Sequence, residues 1–171
     1  MDLDDLDLLF DDIASDSPTA EQTYKMYGIF LNDFKKTTTT VFGKQIIINE
    51  EKSKHPLFKG KFETFAHLVT RESTYSKKRN YDYQRANRIH WIKPILENYE
   101  DERILHFERL NDKKVNQHFF WYKERNFIII LREIKPNLLL VTSYCVDKDN
   151  FVKYKKWYWE NLEQKKTPLR K

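Results

Sequence analysis

The sequence predicts an α+β fold, with N-terminal helices packed on a four-stranded antiparallel sheet and a C-terminal helix closing the chain. Three observations predict it. Apolar residues recur at helical steps up to about residue 97, and the period then changes near residue 103 to short β-branched and aromatic runs. Those runs are separated by "NDKK", "RN" and "KPN", lengths that suit hairpins and tight turns but no crossover. Helices first, sheet next and a basic amphipathic helix last is an α+β order. A chain of 171 residues fits one domain with a real core.

The elements follow in order. Residues 1–18 form an acidic tail in which Leu3, Leu6, Leu9, Phe10 and Ile13 recur at three- and four-residue steps. Ser17-Pro18 discourages helix before it and permits one after. The spacing of Tyr24, Tyr27, Ile29, Leu31 and Phe34 predicts a helix over 19–36. "TTTTVFGKQIIINEE" reads as a strand and "KSKHPLFKGK" as a loop. Phe62, Phe65, Leu68 and Val69 share one face of a helix over 62–71, and "STYSKKRNYDY" reads as loop. "RANRIHWIKPILEN" belongs to a helix over 81–97, kinked or ended at Pro94. "ERILHFERL", "VNQHFFWYKE", "NFIIILREI" and "NLLLVTSYCV" are four strands in series within 103–146. "IIIL" and "LLLV" are apolar on both faces, so the middle of the sheet is covered on both sides. Residues 19–171 are read as one globular domain.

Charge divides the chain sharply. Residues 1–24 hold seven Asp and one Glu with no Lys or Arg, so of the net +5 the remainder carries +13. A basic body with 15% aromatic residues favours a polyanion partner, because cations neutralise phosphates and aromatic faces stack on bases. A lysine-rich surface that merely keeps the protein soluble is the plain alternative. Three glycines argue against Gly-rich phosphate loops, and the lone Cys145 excludes a disulfide framework and a Cys-based zinc site. No apolar run has membrane-spanning length and the acidic start lacks a signal's positive region, so a soluble, cytosolic protein is expected, with no membrane partner.

The candidate site residues are basic or hydroxylic. His67 and Arg71 lie four apart on one helical face, and Arg85, Arg88, His90 and Lys93 share the basic helix. His118 opens the aromatic strand that carries Trp121, Tyr122 and Lys123, while His55 and His106 are taken as structural. Thr142 and Tyr144 are alternate residues on one strand face, placed to hold a phosphate oxygen or ribose, or to pack across strands. There is no H-E-x-x-H, Asp-rich loop or Cys pair, so no metal and no cofactor are expected. Glu133-x-Lys135 with Asp112 upstream loosely matches the Asp…Glu-x-Lys pattern of restriction-type nucleases, a pattern that a highly charged chain also produces by accident. Metal-free RNA cleavage fits the inventory better: the 2′-hydroxyl attacks the adjacent phosphate, and His, Lys and Arg supply base, acid and cations.

The succession "HPLFKGKFETFAHLVTRE", "RANRIHWIKPILEN" and "HFFWYKERNFIIILREIKPNLLLVTSYCVD" resembles a phage- and prophage-associated branch of the barnase/EndoU/colicin/RelE-like nuclease superfamily. The resemblance spans about residues 55–160 and leaves 1–50 uncovered. It implies a compact α+β ribonuclease with helices before a four-stranded antiparallel sheet, acting without metal, often as a toxin in phage–bacterium conflict. By position it places the helix histidine on His67, the basic helix on Arg85, Arg88 and His90, and the terminal-strand hydroxyl on Thr142. Arg71, Lys93, Trp121, Tyr122, Lys123 and Tyr144 complete the expected RNA surface.

The expected function is therefore a metal-independent endoribonuclease, with RNA as partner and a protein inhibitor or antitoxin as a further one. A non-catalytic nucleic-acid-binding or phage regulatory protein on the same scaffold is the alternative, and a protein-interaction module the third class. Two readings stand for the acidic tail: a disordered solubilising segment, or one that docks on the basic body as an autoinhibitory or exchangeable strap.

Overall fold

Thr19 ends the acidic segment and starts the first long helix. Its hydroxyl accepts from the Gln22 backbone N–H and its own N–H donates to the Gln22 side chain, both at 3.0 Å, a reciprocal capping box. In the computed structural model, which describes residues 1–166, helix α1 runs Ala20–Leu31 and passes directly into a π-helical turn, Asn32–Lys36. Met26, Phe30 and Phe34 are its buried stripe. The helix expected over 19–36 is there in extent, and its last turn widens. Residues 167–171 of the globular domain read from the sequence lie outside the described residues.

The single strand expected next is a hairpin. β1 (Thr40–Val41) and β2 (Lys44–Ile47) are joined by Phe42 and Gly43, both at positive φ (54° and 72°), the backbone sense that two-residue hairpin loops require. β2 then pairs parallel to the start of β8, Ile46 with Leu138 and Ile47 with Leu139. The meander itself is antiparallel throughout: β5 (Ile104–Leu110), β6 (Asn116–Tyr122), β7 (Phe127–Ile134) and β8 (Asn137–Cys145). The fold is α+β, but the four antiparallel strands are part of a six-stranded mixed sheet ordered β1-β2-β8-β7-β6-β5. The N-terminal hairpin supplies the difference by satisfying the outer edge of β8.

Two expected helices are shorter than their apolar spacing suggests. α2 (Glu63–Leu68) stops before β-branched Val69 and Thr70, and the chain leaves as β3 (Thr70–Glu72). β3 pairs with β4 (Arg79–Tyr81), which lies in the stretch read as loop. The helix expected over 81–97 is broken in two. α3 (Tyr83–Ala86) is capped by Asp82, whose carboxylate accepts from Gln84 and Arg85 at 3.0 and 3.1 Å. A 3₁₀ turn at Ile89–Trp91 leads into α4 (Ile92–Glu97). Pro94 neither kinks nor ends α4: it is the third helical residue, where no N–H is needed. The break falls at Asn87, whose side chain accepts from the Phe10 N–H at 2.7 Å and donates to the Phe10 carbonyl at 3.0 Å.

Each face of the sheet has its own core. Ile104, Phe120, Tyr122, Ile129, Leu131, Leu138 and Leu140 meet the first four helices. Phe107, Phe119, Trp121, Ile128 and Ile130 meet the closing helix α5 (Lys148–Lys166) through Tyr154. Among the described residues no helix is long and apolar enough to cross a membrane.

The acidic segment is packed against the body. Leu3 and Leu6 are fully buried in the first core, and the Asp7 carbonyl accepts from the Trp91 indole at 2.9 Å and bonds the His90 ring at 2.7 Å. Arg125 donates to the Leu6 carbonyl. All seven Asp of this segment are exposed, and of their carboxylates Asp4 pairs with a body cation, Arg103, at 2.6 Å. Apolar side chains and backbone carbonyls thus hold the segment, while its charge faces water.

Leu6→Ala should therefore cost about 2–5 kcal/mol of stability, the range for deleting a buried leucine. Asp5→Asn, at an exposed position, should stay within about 0.5 kcal/mol of wild type. Urea-unfolding midpoints compare the two, and a Leu6→Ala midpoint equal to wild type would mean the segment is not docked.

Candidate functional site

The site is organised by an irregularity in β8. Ile130 pairs with Thr142 but the next residue, Leu131, pairs with Leu140, so Val141 is an extra residue on one strand, a β-bulge. Before the bulge Leu138 and Leu140 face the helical core; after it the buried Ser143 takes that face. Thr142 and Tyr144 are turned out of it. β2 pairs with β8 only at Leu138 and Leu139, which leaves residues 142–145 as an open edge that α2 and α3 approach.

Six side chains gather at that edge. His67 of α2 is 39% exposed in its side chain and lies 3.3 Å from the Glu63 carboxylate. Arg79 of β4 donates to the carbonyls of His67 (3.3 Å) and Thr70 (2.9 Å) and to the Thr70 hydroxyl (2.9 Å). Arg85 of α3 donates to the Thr70 carbonyl at 2.8 Å and to the Thr142 hydroxyl at 3.5 Å, and its guanidinium stacks 5.1 Å from the centre of the Tyr144 ring. Arg71, exposed on β3, lines with Arg85 and Tyr144 a cleft of about 360 Å³. Asp82, Glu72 and Asp147 line the same cleft, so its charge is mixed.

Electrostatics favour a neutral imidazole here. Burial, and then the nearby Arg79, push the His67 ring below the ordinary histidine range against the opposing pull of Glu63. A histidine held neutral beside an orienting carboxylate is arranged as a proton acceptor. The Tyr144 hydroxyl, expected to hold a phosphate or ribose, is instead engaged by Tyr154 of α5. What Tyr144 presents is its ring, to Arg85.

The structure separates the remaining expected residues. Arg88 lies over Trp91 at 5.3 Å and donates to the Gln84 carbonyl at 2.8 Å, beside the cleft and within electrostatic reach of Cys145. His90 is held by the Asp7 carbonyl and Lys93 by the Thr37 hydroxyl at 2.8 Å, so the break at Asn87 takes both away from Arg85. Trp121 is fully buried against Phe151 of α5, and Tyr122 is buried in the opposite core. Neither can stack on a base. Lys123 is exposed in the turn after β6, 5.9 Å from the Phe151 ring. Arg79 is a further site residue, on a strand within a stretch whose composition predicts loop; the β-branched Val69-Thr70 that opens its partner strand is the signal in the sequence.

A second polar cluster also escaped the sequence reading. His106 Nε2 lies 2.9 Å from His118 Nδ1, and His118 Nε2 lies 2.9 Å from the Glu133 carboxylate. Phe42, from the strained hairpin turn, packs at a tilt against both rings. Asp112, the upstream acid of the nuclease-like pattern, is exposed in the β5–β6 turn. Glu108 instead faces the cluster, 3.8 Å from His118. Alternation about the "NDKK" hairpin, which pairs Glu108 with His118, was the signal that could have found it.

Burial, and then the neighbouring His118, push His106 down to about 4, and burial lowers His67 and His90 too. Folded-state values below the unfolded value mean stability that is complete above about pH 6.5 and lost as pH falls towards 4. Asp33, raised by burial to about 6, works in the opposite direction between 6 and its unfolded value. The melting temperature should therefore drop between pH 6.5 and 4, more steeply in Asp33→Asn and less steeply in His106→Gln. Melting curves across that window check it, and a slope unchanged in His106→Gln would refute the assignment.

Compared with family models, with curated proteins and with solved structures, the chain matches none.

Proposed function

We propose that the chain is a metal-independent endoribonuclease that cleaves RNA by attack of a 2′-hydroxyl on the adjacent phosphate. The observation that carries this reading is the convergence at the β8 edge of a carboxylate-paired histidine, His67, with Arg71, Arg79, Arg85 and the Thr142 hydroxyl. His67, neutral at pH 7, accepts the 2′-hydroxyl proton as the 2′-oxygen bonds to phosphorus, Glu63 stabilises the imidazolium that forms, and the P–O5′ bond breaks with the 5′-oxygen taking a proton from solvent water. Arg71 and Arg85 face the charge that accumulates on the non-bridging oxygens. Arg79 anchors the carbonyls of His67 and Thr70 and so fixes α2 against β3. A toxin-like role, a cognate protein inhibitor and a cytoplasmic location belong to the same proposal.

A second reading, a non-catalytic RNA-binding or phage regulatory protein on this scaffold, is favoured by one observation. Arg85 is largely engaged by protein acceptors, the Thr70 carbonyl and the Asp82 carboxylate at 3.5 Å. Charge saturated in this way positions a strand edge as readily as it binds a phosphate.

Labelled RNA incubated with the protein in excess EDTA separates the two. The nuclease leaves 2′,3′-cyclic phosphate ends, with an acid limb in its rate profile below pH 6.5, where His67 begins to protonate. His67→Ala should lower the rate by about 10²–10⁴ with RNA affinity retained. Arg71→Ala should weaken binding and flatten its salt dependence by about one unit. Salt-sensitive binding without cleavage in EDTA would replace the first reading with the second.

A further inference from the structure

Glu108, His118 and Glu133 stand on three adjacent strands, β5, β6 and β7, on the face of the sheet opposite α5. Glu108 is directly opposite His118 in register. One oxygen of each carboxylate and one nitrogen of the ring all lie within 4.8 Å of one another. The Asn116 amide nitrogen donates to both carboxylates, at 2.9 Å to Glu108 and 3.2 Å to Glu133. Two anions are thus held face to face. Among the described residues, His118 is the one basic group within ion-pair distance of either; Lys44 acts on Glu133 only from beyond it. Like charges fixed this closely share a single imidazole between them, and an amide N–H₂ is a weak substitute for a full cation.

We infer that Glu108, His118 and Glu133 form a divalent metal site of the Zn²⁺ or Mn²⁺ type, with the Asn116 side-chain oxygen as a fourth donor. One imidazole nitrogen with two carboxylate oxygens suits these borderline ions. Metal–ligand bonds of about 2.1 Å in a tetrahedron put neighbouring donors roughly 3.4 Å apart. His118 Nε2 and the Glu133 oxygen are 2.9 Å apart, so an opening of about half an ångström admits the ion. Asn116 turns its amide end for end, offering oxygen where it now offers nitrogen.

The rings around the site fit the same role. In the metal-free arrangement His118 donates its Nε2 proton to Glu133 and accepts from His106 at Nδ1. With the ion on Nε2, His118 carries its proton on Nδ1 and donates it to His106 Nε2, and the His106 proton moves to Nδ1. Both rings change tautomer, and His106 becomes the group that orients the ligand. Phe42 packs against both rings from one side. The site shares no residue with the cleavage centre, so the two readings stand or fall separately.

Calorimetric titration of Zn²⁺ and of Mn²⁺ into metal-stripped full-length protein should show one equivalent bound, with a rise in melting temperature. Glu108→Gln and Glu133→Gln should each weaken binding by at least about tenfold, and Glu63→Gln, at the other His–carboxylate pair, should leave it unchanged. Ring ¹⁵N spectra of the wild type, which need no variant to fold, should show tautomer changes at His106 and His118 and none at His67. Absence of saturable binding, affinity unchanged in both Gln variants, or ring shifts confined to His67 would each overturn the site.

Discussion

The extra residue at Val141 decides what β8 can do. A strand presents alternate residues to opposite faces, so one inserted residue exchanges the faces of everything after it. Up to Leu140 the strand serves the helical core, and beyond it the core receives Ser143, a small polar residue, while Thr142 and Tyr144 turn away. Without that shift, Thr142 and Tyr144 would continue the apolar row of Leu138 and Leu140 beneath the helices, and Arg85 would have neither a hydroxyl to meet nor a ring to stack on. The short parallel pairing with β2 completes the arrangement, since it ends at Leu139 and leaves the edge beyond the bulge open to α2 and α3.

The N-terminal segment shows how little a charge pattern says about the force that holds it. Seven carboxylates beside a strongly basic body suggest electrostatic docking. The contacts instead are Leu3 and Leu6 in the core and backbone carbonyls on Trp91 and Arg125. Exposed ion pairs contribute at most about 1 kcal/mol, whereas a buried leucine contributes about 1.5–3 kcal/mol, so the apolar residues set the register and the acids remain solvated. The same contacts break the basic helix. Asn87 leaves the helical path to bond Phe10, and Arg85 before it goes to the β8 edge while His90 and Lys93 go to another surface.

The meander was legible because its period and its short turns are local properties: "KPN" cannot carry a crossover, and the alternation about "NDKK" sets the hairpin. The parallel contact of β2 was not, because nothing near Ile46 in the sequence points to Leu138. Pro94 misled for a related reason. Proline breaks a helix only where an N–H is required, and whether residue 94 lies early or late in its helix depends on Asn87, which answers to a contact from Phe10. His67, Arg71, Arg85, Thr142 and Tyr144 were found as residue types, and the structure brings them together. Trp121 and Tyr122 were misplaced because a strand covered on both faces buries its aromatics whichever way they point.

The five histidines show how partners, rather than residue type, set chemical capacity. His55 accepts from the Leu57 N–H at Nδ1, so its Nε2 must donate to the Arg79 carbonyl; both nitrogens are spent on holding a loop. His90 spends Nε2 on the Asp7 carbonyl and buries Nδ1 without a partner, which leaves nothing for a substrate. His106 and His118 are joined to each other and end on a carboxylate, a chain with little contact with solvent. His67 alone combines a carboxylate neighbour, a partly open ring and the nearby charges of Arg79 and Arg85. The fold supplies all three at one histidine because α2 ends at Leu68, one residue beyond it.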